Sequence, residues 1–265
     1  MKKSNPQMEN TDKIEELLKA GSEISGGIAG GVIGFITGGP VGAAIGGASQ
    51  PIIAKIVKKV STEIKKRLIG PREEIRMGAT LTYAVDKIQK KLKMGQQIRS
   101  DGFFSNDLNV RSSAEEIIEG VLLVAQKEHE EKKIIYFGNL IANIAFDTQF
   151  DKGESNYLIK LAETLTYRQL CLISIFAQKQ RFPLSNNNFY GRSRIGTDLF
   201  ILLHEIFELY NLGMLNCSGA ALIELGYIVP RKMVSQGAGA HLYNLMELHL
   251  IDLQDLNNIE AILKK

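Results

Sequence analysis

Cysteine and histidine are scarce in this chain of 265 residues, and each scarcity argues against a class of protein. The two cysteines, Cys171 and Cys217, are too few for a disulfide scaffold and form no CxxC pair. The histidines have none of the spacings typical of zinc ligands. They stand at His129, His204, His241 and His249. We therefore expect no metal and no other cofactor.

Net charge is also small, at +3, which is too little to indicate a nucleic-acid binder. The first 23 residues mix lysines with acids and lack the apolar core of a secretory signal. We therefore expect a cytoplasmic protein, and one that would reach a membrane from its cytoplasmic side. Hydrophobic residues make up 45% of the chain, which is enough for an ordinary buried core.

Glycine is abundant in one place, the segment Ile24–Ala54, whose 31 residues include ten glycines and no charge. Six glycines recur at intervals of four residues, and on a helix such positions form one ridge without side chains. A second backbone can pack closely against that ridge, as in membrane helix pairs. The six are Gly26, Gly30, Gly34, Gly38, Gly42 and Gly46.

Pro40 lies near the centre of this segment and follows two glycines, so it interrupts the helix and favours a reversal. Each half of about 15 residues would reach about 22 Å, which is shorter than the ~30 Å hydrocarbon core. The segment has no leucine, and we predict a helical hairpin that inserts only conditionally. The alternatives are a buried hairpin in a soluble protein and a disordered linker. A phosphate-binding loop is excluded because no Lys-Ser or Lys-Thr closes a glycine cluster.

Basic residues follow the glycine-rich segment directly, in a predicted helix that ends before Gly70-Pro71. Ile56, Val57, Val60 and Ile64 are spaced for one apolar face. The basic side chains are predicted to contact anionic lipid, where each adds about 1 kcal/mol to binding. They are Lys55, Lys58, Lys59, Lys65, Lys66 and Arg67.

The sequence predicts a mainly α protein in four parts. Residues 1–23 are a tail and a short helix, and residues 24–54 are the glycine-zipper hairpin. Residues 55–181 show helical periodicity almost throughout and are predicted to form a helical bundle. After an Asn-rich connection, residues 195–265 have the order of a small winged-helix-like α+β module.

A charged run at 128–133 suggests catalysis at first sight, because it holds one histidine among three glutamates and two lysines. The second histidine of a zinc-hydrolase helix is missing, so we interpret the run as the solvated face of a helix. Asn139, Asn143 and Asp147 follow Gly138 on one face of an apolar helix. Hydrogen bonding between helices explains them better than a ligand site.

An exposed phenylalanine pair in a loop could bind a partner, but such residues are more often buried. Phe103 and Phe104 lie in a polar loop and are expected to fold back onto a core.

Residues 167–265 hold nine basic and eight acidic side chains, and the predicted recognition helix, 218–225, has no basic residue. Because DNA binding requires basic side chains on the docking face, we expect a protein-interaction or regulatory module instead.

The region Ala114–Phe176 resembles the helical core of Abi-alpha-type abortive-infection proteins of bacteria. The similarity is carried by Glu119–Gln126, Glu130–Lys133, Gly138–Asp147 and Leu161–Leu170. The resemblance implies a role in antiphage defence and assigns no catalytic residues.

Together these features predict a non-enzymatic, membrane-active effector whose hairpin permeabilises the inner membrane as a homo-oligomer, held or released by a sensor or inhibitor protein. The alternative is a soluble regulatory or adaptor protein whose hairpin packs against a protein partner. A DNA-binding regulator is disfavoured by the charge count.

Overall fold

The structure, a computed structural model, describes residues 51–65, 70–105, 110–191, 195–218 and 221–264, without the side chain of Lys65. The chain divides into two compact units, Met1–Glu163 and Thr164–Lys265, called here the N-terminal and C-terminal units. The described residues form nine α-helices and one two-stranded sheet, which confirms the mainly α fold. The predicted hairpin, apart from its last four residues, lies outside the described ranges.

The described part of the N-terminal unit is helical, and two of its helices begin at residues typical of helix starts. Pro71 starts a helix after Gly70, whose amide donates to the Glu73 carboxylate over 2.6 Å. Ser112 caps the next helix by accepting a hydrogen bond from the Glu115 amide. The helices are α1 (Pro51–Lys65), α2 (Pro71–Lys93), α3 (Ser113–Lys127), α4 (Ile134–Ile144) and α5 (Lys152–Thr164).

Helices α2, α3 and α4 pack on one another and form the centre of this unit. The closest approach is at Gly138 of α4, where an added Cβ would lie 2.5 Å from Tyr83 Cβ and 2.9 Å from the Thr80 carbonyl oxygen. Only glycine fits between these helices. Helix α1 packs mainly on α3.

The C-terminal unit combines four helices with the sheet. Strand β1 (Leu215–Cys217) pairs antiparallel with β2 (Met233–Ser235), with Asn216 opposite Val234. Gly239 lies against Met214, just before β1, so closely that a Cβ would overlap the Met214 carbonyl. The helices are α6 (Tyr167–Ala177), α7 (Thr197–Asn211), α8 (Gly237–Leu245) and α9 (Leu253–Leu263).

Three features of the C-terminal unit differ from the sequence prediction. Helix α6, predicted as part of the bundle, belongs to this unit because it packs against α8, α9 and β2. Helix α9 is not predicted by the sequence. The predicted recognition helix is absent from Ser218 and from 221–225, where only a 3-10 turn starts at Leu225. The two-stranded sheet gives this module the predicted mixture of helix and strand, and a winged-helix topology stays a prediction.

Candidate membrane-facing helix and neighbouring charge clusters

The seven residues predicted to form the packed hairpin, and two of the basic lipid contacts, lie outside the described residues. They are Gly26, Gly30, Gly34, Gly38, Pro40, Gly42, Gly46, Lys66 and Arg67. The last residues of the uncharged segment are described, and they are part of the bundle. Pro51–Ala54 form the first turn of α1, and the Ile53 side chain is buried in the core.

Helix α1 is strongly amphipathic and uses both of its faces. One face is buried in the N-terminal unit and carries Ile53, Ile56, Val57, Val60 and Ile64. The opposite face carries Lys55 and Lys58, both exposed to solvent. The backbone of Lys65 lies in the last turn of α1. This helix therefore presents part of the predicted basic surface directly after the uncharged segment.

Lys59 combines exposure with an ion pair inside the bundle. Its ammonium Nζ lies 2.8 Å from Glu115 Oε2, and the Glu115 side chain is only 1% exposed. The Lys59 side chain itself is 42% exposed. One of the predicted lipid contacts is thus already engaged with α3.

Arg111, just before α3, lies close to carboxylates of both α1 and α3. Its guanidinium donates to the Glu119 carboxylate and lies 3.8 Å from Glu63 of α1 and 3.9 Å from Glu115. The hydrogen bond with Glu119 is the main reason that the pKa of Arg111 is raised. Two ion pairs, Lys59–Glu115 and Glu63–Arg111, therefore connect α1 to the α3 region.

A small apolar cavity lies beneath α1, with room for about one water molecule (about 10 Å³). Ile56 and Val57 of α1 line it, together with aliphatic side chains of α2, α3 and α4. Phe103 and Phe104 also line it, packed edge to face with ring centroids 5.2 Å apart. The prediction that these two phenylalanines fold back onto a core is confirmed by their burial.

The charged run at 128–133 is not a solvated helix face, and for two of its residues that prediction is wrong. Helix α3 ends at Lys127, and a short 3-10 turn, Glu131–Lys133, leads into α4. Lys133 Nζ lies 2.5 Å from Glu128 Oε2, and the two side chains are only 2% and 5% exposed. The other Glu128 oxygen accepts from the Glu130 amide. The result is a buried ion pair at the junction of α3 and α4.

Two arginines of α2 complete this charge network. Arg72 binds Glu131 through two hydrogen bonds of 2.6 and 2.5 Å. Arg76 donates to the carbonyl oxygens of Gln126 and Glu128, which the end of α3 leaves without helical partners. The network therefore fixes where α3 ends and joins that end to α2.

Glu128, His129 and Glu130 offer three potential metal-ligand atoms within 4.8 Å of one another. The Glu128 carboxylate is already neutralised by Lys133, and the His129 side chain is 90% exposed. A cation would have to displace the Lys133 ammonium from a buried position. This arrangement is typical of an ion pair that stabilises the fold, and it is not typical of a catalytic or metal-binding site.

The polar face predicted on α4 is partly buried. Asn139 and Asn143 are 3% and 8% exposed, whereas Asp147 lies beyond the helix and accepts from the Gln149 amide. Burial agrees with an interior role for the two asparagines, and their hydrogen bonding between helices stays a prediction.

In the C-terminal unit, the guanidinium of Arg231 forms hydrogen bonds within the fold. Arg231 Nη1 donates to the carbonyl oxygens of Lys179 and Phe182 over 2.9 and 3.0 Å. These hydrogen bonds fix the position of one guanidinium nitrogen. That nucleic acid is not the partner stays a prediction.

Sequence patterns missed one exposed apolar feature of the same unit. The rings of Tyr190 and Tyr227 stack 4.7 Å apart, and both residues are exposed. Ile223 is 82% exposed in the segment between the strands. Tyr190 lies in the Asn-rich connection, and the polar composition of that segment gave no indication of an exposed aromatic pair.

Comparison with known proteins adds no family assignment: no protein-family model, no curated protein and no solved structure matches the chain. In the part of the chain that the structure describes, no helix has the length and apolar character needed to cross a bilayer.

Proposed function

We propose that this protein is a membrane-active effector whose uncharged segment, 24–54, enters an anionic bilayer. The observation that carries the proposal is the structure of α1, which continues that segment. Its basic side chains Lys55 and Lys58 face solvent, while Ile56 and Val57 hold the helix on the bundle. The end of the uncharged segment is thereby placed beside an exposed basic surface.

Physical costs favour a membrane or self-association for the glycine-rich segment. Ten glycines would destabilise a helix in water by about 8–10 kcal/mol relative to alanine. In hydrocarbon an open backbone is worse still, and close packing at the glycine ridge offsets part of the cost. Segment 24–54 is therefore expected to become helical when it meets lipid or other copies of itself.

The biological role follows from the resemblance of Ala114–Phe176 to abortive-infection proteins. We propose that the protein acts from the cytoplasm in antiphage defence. It would permeabilise the inner membrane as a homo-oligomer after release by a sensor or inhibitor, without enzymatic chemistry.

Vesicle binding tests the contribution of α1. The variant Lys55→Gln/Lys58→Gln removes two exposed charges, worth about 2 kcal/mol or about 30-fold in partitioning to anionic vesicles. The matched control Lys93→Gln/Lys160→Gln removes two exposed lysines from α2 and α5 and should change partitioning less than about threefold. Wild-type protein that neither binds anionic vesicles nor releases their contents would overturn the proposal, as would equal losses in both variants.

Growth arrest on expression in bacteria tests the glycine ridge. Gly30→Leu/Gly34→Leu fills the ridge and should abolish toxicity, because two backbones can no longer approach. Ile28→Leu/Val32→Leu changes positions about 200° away on the same predicted helix and should leave toxicity intact. Equal toxicity of the two variants would rule out the ridge as the active element.

A second candidate function is a soluble adaptor, favoured by Tyr190, Tyr227 and Ile223 on the C-terminal unit. Exposed aromatic side chains such as Tyr190 and Tyr227 are enriched at protein interfaces, and Ile223 adds apolar surface on the same unit. If the wild-type chain ignores vesicles but a partner co-purifies from the native host, Ile223→Ser should weaken that complex. Unchanged recovery of the partner would exclude this surface.

A further inference from the structure

The apolar face of α1 has two possible environments. In the structure it is buried in the N-terminal unit, with Ile53, Val57 and Val60 each no more than 4% exposed. A helix with one aliphatic face and a lysine-rich opposite face is also the kind that lies in the surface of an anionic bilayer. The two environments are mutually exclusive because both require the same side chains.

Packing beneath α1 is incomplete. The water-sized cavity is bounded by Ile56 and Val57 on one side and by core residues such as Leu81 and Val85 of α2 on the other. Side chains that border a void lose dispersion contacts, so the bundle holds this stretch of α1 less tightly than a filled core would.

Two ion pairs make the docking of α1 on the α3 region specific. Lys59 reaches Glu115 over 2.8 Å, and Arg111 lies 3.8 Å from Glu63. Lys59, Glu63 and Arg111 are each about 40% exposed, so solvent and salt weaken both pairs. The Glu115 side chain, at 1% exposure, is covered in the docked state.

We propose that docking of α1 on α3 is an autoinhibitory contact, which withholds the apolar face of α1 from the bilayer until lipid displaces it. The inference rests on the proposed membrane function and adds the element that regulates it. Undocking would free α1 to lie at the membrane surface next to the inserted segment.

One variant loosens the contact without changing α1 itself. Glu115→Lys places a positive charge against Lys59 and should speed leakage from anionic vesicles at least fivefold. It should also speed hydrogen exchange of the α1 amides about tenfold. The control Glu116→Lys changes the neighbouring residue, whose carboxylate binds Lys152 and Asn156 and not α1, and should leave both rates within twofold.

Crosslinking supplies the opposite perturbation and does not depend on a buried substitution. In the full-length variant Glu63→Cys/Arg111→Cys, whose two positions are each 41% exposed, a reducible bis-maleimide should join α1 to the residue just before α3, since both native cysteines are buried. We expect the crosslinked protein to leak vesicles at least tenfold more slowly than the same protein before crosslinking. Cleavage of the crosslinker by reductant should restore the rate.

The outcomes separate this inference from the proposed function. Equal leakage before and after crosslinking, with an active wild-type protein, would overturn the autoinhibitory contact and leave the membrane function standing. No leakage by wild type, Glu115→Lys or uncrosslinked protein would overturn both.

Discussion

Replacing Lys133 with methionine should destabilise the N-terminal unit far more than a change at a charged residue ordinarily does. Methionine matches the length of the lysine stem and fills the same space, so the substitution mainly removes the ammonium. The Glu128 carboxylate, 5% exposed, then stays buried opposite an apolar group. The favourable placement of the ammonium 5.3 Å from the centre of the Phe137 ring is lost as well.

The expected loss can be worked from the geometry of the pair. Removing one partner of a buried ion pair costs about 3–5 kcal/mol, because the remaining charge is desolvated without compensation. Glu128 keeps the hydrogen bond from the Glu130 amide at 2.9 Å, which places the expected loss near the lower limit, about 3 kcal/mol. The double variant Glu128→Gln/Lys133→Met removes both charges and should recover about 2 kcal/mol of this loss.

Hydrogen exchange measured across a urea series is the suitable assay. Amides of α2 and α4 report unfolding of the N-terminal unit directly, which separates it from the C-terminal unit. The matched control is Lys160→Met, which breaks a 2.8 Å pair with Glu163 at a lysine whose side chain is 70% exposed. That control should cost less than about 1 kcal/mol.

Two results would refute this reasoning. A loss for Lys133→Met no larger than that for Lys160→Met would mean that Glu128 and Lys133 are solvated in solution. A double variant no more stable than Lys133→Met would mean that the loss does not come from an uncompensated charge.

Two other predictions concern packing and pH. Gly138→Ala should lower the free energy of unfolding by at least about 2 kcal/mol, since its Cβ would meet Tyr83 at 2.5 Å. Gly120→Ala, with the nearest atom 3.9 Å away, should raise it by up to about 1 kcal/mol, and thermal unfolding of both variants tests the pair. The pKa of Glu116 is lowered from its ordinary value of 4.5, chiefly by the hydrogen bond from Asn156. The ionised carboxylate therefore stabilises the folded protein above pH 4.5, and this stabilisation is lost as the pH falls through the lowered pKa of the folded state. Glu116→Gln should therefore reduce the loss of stability on acidification, and unchanged acid unfolding would contradict this.

Short-range features of the fold were predictable because they depend on neighbouring residues. Ser112 and Thr166 cap helices in the structure, where each hydroxyl accepts from an amide three positions later, and serine and threonine are among the residues that favour this position. The apolar face of α1 follows in the same way from its spacing.

Contacts between distant residues were not predictable from such patterns. The position of α6 in the C-terminal unit depends on α8, α9 and β2, which lie many residues later in the chain. Glu128 and Lys133 were expected at a solvated surface because periodicity does not show where α3 stops. Arg76 of α2 binds the carbonyls that end it, about 50 residues away in sequence.

For the candidate site, residue order and spacing alone show that Lys55–Arg67 follows an uncharged glycine-rich segment and has one aliphatic face. That α3 covers this face and that Lys59 binds Glu115 is visible only in the folded chain. Spacing determines which side of a helix leaves water, but hydrophobic burial has no direction and so does not select the apolar surface that receives this side.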